Sequence, residues 1–210
     1  MKRAIRSAIV MLLAVSTILA SQSCATVDQM ASVIGVLQRL QFRIRDVADF
    51  RLAGIAIGSK TAISQFSVGD ALGLAGAFTS RRLPADFVLN LEAVNPNTGV
   101  GRTSRTVGTL SSLECRLLID GRPTITGNID RPVEVPGTGQ ATMFPIRLSL
   151  DLLQFFGEKR YEDLINLALA IGGASRSTSH VALDAQPVVT TPLGDITYPG
   201  RITIVDTEFR

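Results

Sequence analysis

The dominant periodicity in the chain is a period of two. In DFVLNLEAV (86–94), Phe87, Leu89, Leu91 and Ala93 share one side, and Val88, Asn90, Glu92 and Val94 share the other. That alternation predicts an antiparallel strand with one face buried and the other largely wet. LECRLLID repeats it, placing Cys115, Leu117 and Ile119 together before the turn dipeptide Asp120-Gly121. ATMFPIRLSLDL does the same with Phe144, Ile146, Leu148 and Leu150. PTITGNI, SHVALDAQPV and GRITIV read as further strands, and the proline-rich RPVEVPGTGQ as an edge or a loop, because proline cannot donate to a ladder. QFRIRDVADFRLAGIAIG alternates through Phe42 and Ile44, slips, and resumes at Phe50, Leu52, Ile55 and Ile57. One long strand with a bulge, or two strands, would produce that slip.

Helical spacing is concentrated between Leu150 and Gly173. Tyr161, Leu164, Ile165, Ala168, Leu169 and Ile171 form an apolar stripe, with Glu158, Glu162 and Asp163 at its start and Gly172-Gly173 at its stop. Gly69–Phe78 superficially resembles a glycine-rich phosphate loop, but without a parallel-sheet unit around it a short irregular helix is the better reading. Val27, Met30, Ile34, Leu37 and, less regularly, Leu40 predict a short helix or a tether leading into the domain. Many strands and one helical insertion, without α/β alternation, predict an all-β antiparallel sandwich with a helix inserted near 152–172.

The ends and the charge alter the functional picture. Lys2, Arg3 and Arg6 precede the apolar stretch Ala8–Ala20, which falls short of the ~20 residues needed to span a bilayer. This describes a secretory signal peptide over 1–23, followed by a tether or short helix over 24–39 and one domain over 40–210. Ser21-Gln22-Ser23-Cys24 resembles the lipobox of bacterial lipoproteins, with Ser21 where leucine is usual, and implies lipidation of Cys24. The alternative is ordinary cleavage near Ser23. The +3 of the whole chain is carried by the three leader cations, so the exported protein is formally neutral and no nucleic-acid partner is implied. Ala25 rather than Asp follows Cys24, which leaves the outer membrane as the expected site in a Gram-negative host.

With the strands placed, several stretches resemble a family signature. Asn95-Pro96-Asn97 follows LNLEAV; Ile119-Asp120-Gly121 ends the next hairpin strand; Gly127 closes another, and Tyr198-Pro199-Gly200-Arg201-Ile202 comes near the end. In this order, over Leu40 to Val205, they resemble the group-2 late embryogenesis abundant proteins, whose module is also called the water-stress and hypersensitive-response domain. The resemblance implies an immunoglobulin- or fibronectin-III-like sandwich, no catalysis and a part in desiccation and stress protection. Asn95, Pro96, Asn97, Asp120 and Gly121 would then be structural. On physical grounds Pro96 holds Asn95 extended, Asn97 can turn left-handed or bond its own backbone, and Gly99 relaxes the exit.

Catalytic candidates are few. His180, the single histidine, is expected to point to solvent, and an enzymatic role would need a pocket gathering it with a carboxylate. Cys115 reads as a buried inert thiol, or as a partner for an unlipidated Cys24. No cofactor and no metal are expected. Two functions from different classes fit: a non-enzymatic protective or structural envelope lipoprotein touching membrane or client protein, or a lipid-binding module. The second would use a groove between the inserted helix and the sheet, walled by Leu152, Phe155, Phe156, Leu164, Ile165, Ala168 and Leu169. Plain core packing is the competing reading for those seven residues.

Overall fold

The computed structural model describes residues 39–100, 107–174, 180–191 and 194–205. The leader, Cys24 and the tether up to residue 38 lie outside the described residues. The strands are β1 (Gln41–Leu52), β2 (Ile55–Ala56), β3 (Pro84–Val94), β4 (Gly108–Ile119), β5 (Arg122–Gly127), β6 (Val133–Val135), β7 (Ala141–Asp151), β8 (Val181–Thr191), β9 (Gly194–Thr197) and β10 (Ile202–Ile204). They form two sheets, ordered β2-β1-β3-β7 and β10-β8-β4-β5, with β6 added to β4 and β9 to β8. Every pairing is antiparallel. Taking β1, β3 and β7 as strands A, B and E, and β4, β5, β8 and β10 as C, C′, F and G, this is the immunoglobulin-type partition between two sheets.

The alternation seen in the sequence explains the core. Phe87, Leu89, Leu91 and Ala93 of β3, and Phe144, Ile146, Leu148 and Leu150 of β7, are buried. They join Leu113, Cys115, Leu117 and Ile119 of β4 and Val181, Leu183 and Ala185 of β8 in one cluster. Each large aliphatic side chain buried there contributes about 1.5–3 kcal/mol relative to exposure. The slip in β1 is resolved as one long strand with two irregularities, between Ile44 and Asp46 and between Ala48 and Arg51. A tight turn with Ala53 and Gly54 both at positive φ then leads into the two-residue β2.

Both helical regions expected from the sequence are present, the glycine-rich one as a regular helix and the insertion split in two. A 3-10 turn (Ile63–Gln65) and a three-turn helix, α1 (Val68–Thr79), separate β2 from β3. Between β7 and β8 the insertion is two helices, α2 (Leu152–Phe156) and α3 (Tyr161–Gly172). Asp151 starts α2 by accepting from the Leu153 N–H, and it also accepts from the Leu83 N–H at 2.9 Å, tying the insertion to the start of β3. Gly172 lies so close to β1 that an added Cβ would collide with the Phe50 side chain. Glycine is the residue that permits this packing of α3 on the sheet.

One polar position departs from the expected pattern. Glu92, placed by alternation on the wet face of β3, is only 4% exposed. Arg43 donates to its Oε2 at 2.5 Å and Arg45 to its Oε1 at 3.3 Å. β3 is an interior strand between β1 and β7, so the arginines opposite can close over it. A charge held this way is tolerated at low exposure because its oxygens are bonded.

Candidate functional site

The Asn-Pro-Asn corner at the end of β3 is buried, with Asn95 fully enclosed and Asn97 4% exposed. Asn95 Nδ2 donates to the Val135 carbonyl at 3.1 Å. Asn95 Oδ1 accepts from the Asn97 N–H at 3.1 Å and from Asn97 Nδ2 at 2.7 Å. The Asn95 carbonyl accepts from the Gly139 N–H at 3.2 Å. The corner is therefore a clamp joining the end of β3 to β6 and the β6–β7 loop. Positive φ is taken by Gly99 and not by Asn97. It is the Asn95 side chain that satisfies the turn's backbone.

At the tip of the β4–β5 hairpin, Asp120 (φ 50°) and Gly121 (φ 75°) make the turn. Asp120 Oδ1 lies 2.6 Å from His180 Nδ1, and the Asp120 N–H donates to the His180 carbonyl at 2.9 Å. His180 is thus not free in solvent: its half-exposed ring is held by a half-exposed carboxylate. The pairing fixes residue 180, just ahead of β8, to the hairpin tip. Nearby, Arg122 reaches Glu158 at 2.6 Å and lies over the Phe156 ring, so the hairpin also meets the loop between α2 and α3.

The seven groove candidates are in the packed interior. Leu152, Phe156, Leu164, Ile165, Ala168 and Leu169 are all buried in the core, and Phe155 is partly buried against it. Phe78 of α1 meets Tyr161 of α3 edge-on at 5.2 Å. These side chains fill the space between helix and sheet as core packing does.

Cys115 is fully buried, and its thiol donates to the Gly127 carbonyl at 3.3 Å. Burial pushes it up to about 11, which keeps the thiol protonated and a poor nucleophile at neutral pH. Open clefts flank the first sheet. One of about 800 Å³ runs between β7 and the β5–β6 connection, spanned by the Arg147–Asp130 ion pair at 2.6 Å. Another, of about 670 Å³, lies beside the irregular stretch of β1 near Asp49 and Gly58. Neither brings His180 or Cys115 to its wall. Sequence reasoning did not anticipate the Glu92–Arg43–Arg45 cluster. The signal available was Arg43 and Arg45 on a strand that had to pair with a carboxylate-bearing one.

No family model matches the chain, and no curated protein matches it. Among solved structures it is similar to a protein from Archaeoglobus fulgidus, at 10% identity and a TM-score of 0.34, over 80% of this chain and 94% of that one. It is also similar to the solution structure of a candidate late embryogenesis abundant protein. There the identity is 12% and the TM-score 0.31, over 91% of this chain and 90% of the other. At that distance neither transfers a function.

Proposed function

We propose that this chain is an exported lipoprotein of the cell envelope, held in the membrane through lipid on Cys24, and that its sandwich acts without catalysis. The domain would be of the group-2 late embryogenesis abundant type, serving desiccation and stress protection or a structural role in the envelope. In a Gram-negative host the outer membrane is the proposed site. The observation that carries the reading is the Asn95-Pro96-Asn97 corner. The residues that most specifically resemble the family are spent on holding the sandwich together, their amides bonded to Val135 and to one another. Asp120 and Gly121 likewise form a turn, with the carboxylate occupied by His180. The groove reading is not carried forward, because its walls lie in the core.

Two measurements test the proposal. Intact mass of the membrane-extracted protein should show a diacyl or triacyl adduct on Cys24, and an unmodified chain would overturn the anchor. A labile enzyme dried with the purified protein should keep more activity than the same enzyme dried with an equal mass of albumin. Equal losses would overturn the protective role.

A further inference from the structure

Apart from Asp70 in its first turn and Thr79 at its end, α1 is built of apolar and glycine residues, yet Leu74 is its one buried residue. A helix of that composition is ordinarily enclosed. Here Val68 is 79% exposed and Leu72 70%. At 100° per residue these two fall on one outward face with Ala71, Ala75 and Thr79. Thr79 is the polar side chain on that face, and its hydroxyl donates to the Ala75 carbonyl at 2.8 Å within the helix. The face therefore offers water almost nothing to bond.

Its charges are arranged to one side. Between Phe66 and Leu83 the charged residues are Asp70, Arg81 and Arg82. Asp70 closes a capping box with Ser67 and is 3.6 Å from Lys60 Nζ. Arg81 and Arg82 are exposed just past the helix end. An exposed apolar helix face with two exposed cations just past the helix end is complementary to an anionic bilayer surface. Twelve residues are too few to span, and among the described residues no helix is long and apolar enough to cross a membrane.

We propose that α1 is a membrane-docking element, its Val68–Leu72 face entering the headgroup boundary of a bilayer while Arg81 and Arg82 meet anionic lipid headgroups. The reach is sufficient if the proposed Cys24 anchor holds, the one point at which this inference rests on it. α1 lies at the end of the sandwich away from Gln41, about 40 Å along β1 at ~3.3 Å per residue. Residues 24–40 extend at most about 55–60 Å at ~3.3–3.6 Å each. The domain can then lie along the membrane, and the anchor makes docking intramolecular, at an effective concentration of order mM, so a weak contact suffices.

The chain has no tryptophan, so Leu72→Trp installs a single reporter on this face. The full lipid-bearing chain is reconstituted in vesicles of phosphatidylcholine, with or without phosphatidylglycerol. Expected are blue-shifted emission and quenching by lipids brominated high on the acyl chain, stronger in anionic vesicles. Met143→Trp, at an exposed site on β7, should stay water-like. Adding Val68→Asp to the reporter should lower the docking equilibrium constant about tenfold, the scale of one lost apolar anchor. Adding Arg81→Glu with Arg82→Glu should abolish the preference for anionic vesicles. A floating chain with water-like Leu72→Trp emission would overturn the docking and spare the anchor. A chain that neither floats nor shifts would overturn both. A shift in a chain whose mass shows no acyl group would support docking and overturn the anchor. A shift without vesicles that grows with protein concentration would overturn docking in favour of a second copy on this face.

Discussion

Removing the Asn95 side chain would strand the Val135 carbonyl and two donors of Asn97 at once, all of them inside the protein. Leaving buried polar groups unbonded costs about 1–3 kcal/mol each, partly recovered where water can enter. Asn95→Ala should therefore lower stability by about 2–4 kcal/mol in urea unfolding, whereas Pro96→Ala should cost under about 1 kcal/mol through unfolded-state freedom. The turn at Asn95 was legible from the proline beside it, but its depth was not, since the enclosing Val135 is forty residues further along. Glu92 hid for the same reason: alternation assigns a face, and only the opposing strand decides whether that face is wet. Cys115 was legible, as an apolar position in an alternating strand. Its thiol sits at about 11 against an ordinary 9.0 because burial disfavours the thiolate. Above pH 9 the unfolded chain releases this proton while the native chain keeps it, so unfolding gains. The stability that the neutral thiol contributes is whole below pH 9.0 and is lost between about 9 and about 11. The gap in urea midpoint between wild type and Cys115→Ala should accordingly be narrower at pH 10 than at pH 8.

At the scale of elements, the strands and the inserted helix were readable from their periods, and α1 only as a short irregular helix, without its bounds. Period-two alternation in β3, β4 and β7 survives into the structure because each of these strands has one face on the core. α1 carries Gly69, Gly73 and Gly76 and no amphipathic stripe, so its sequence gives neither a propensity nor a period to read. What forms it is local: the Ser67–Asp70 capping box satisfies its first turn, while Leu74 and the Phe78–Tyr161 contact fix it to the body. An exposed helix with three glycines has unused stability. A Cβ at Gly76 would meet nothing within 4 Å, and glycine in a helix interior costs about 0.5–1 kcal/mol relative to alanine. Gly76→Ala should raise stability by about that amount, seen as a higher urea midpoint with an unchanged slope. A drop would mean that α1 needs to bend or open at Gly76.

At the scale of the whole molecule, the two sheets share one interior, so the clamp at Asn95 and the thiol at Cys115 should report the same event. Asn95 ties the first sheet's β3 to β6, and β6 pairs with β4, the strand that carries Cys115. Cys115 is covered by β8 on one side and β5 on the other, and its sulfur is sealed inside. A thiol reagent can reach it only when the second sheet parts from the first or from its neighbours. If the sandwich opens as a unit, the labelling rate follows the global unfolding equilibrium as long as reclosing outpaces the reagent. The 2–4 kcal/mol expected for Asn95→Ala then becomes a labelling rate faster by about 30- to 1000-fold, read by mass on the peptide containing Cys115. Gly76→Ala should slow the same labelling several-fold if α1 belongs to that unit, and leave it unchanged if α1 frays separately. An Asn95→Ala protein that loses stability in urea yet labels at the wild-type rate would show that the β4–β8 pair opens on its own. The sandwich would then be two cooperative halves, with the corner holding only the first.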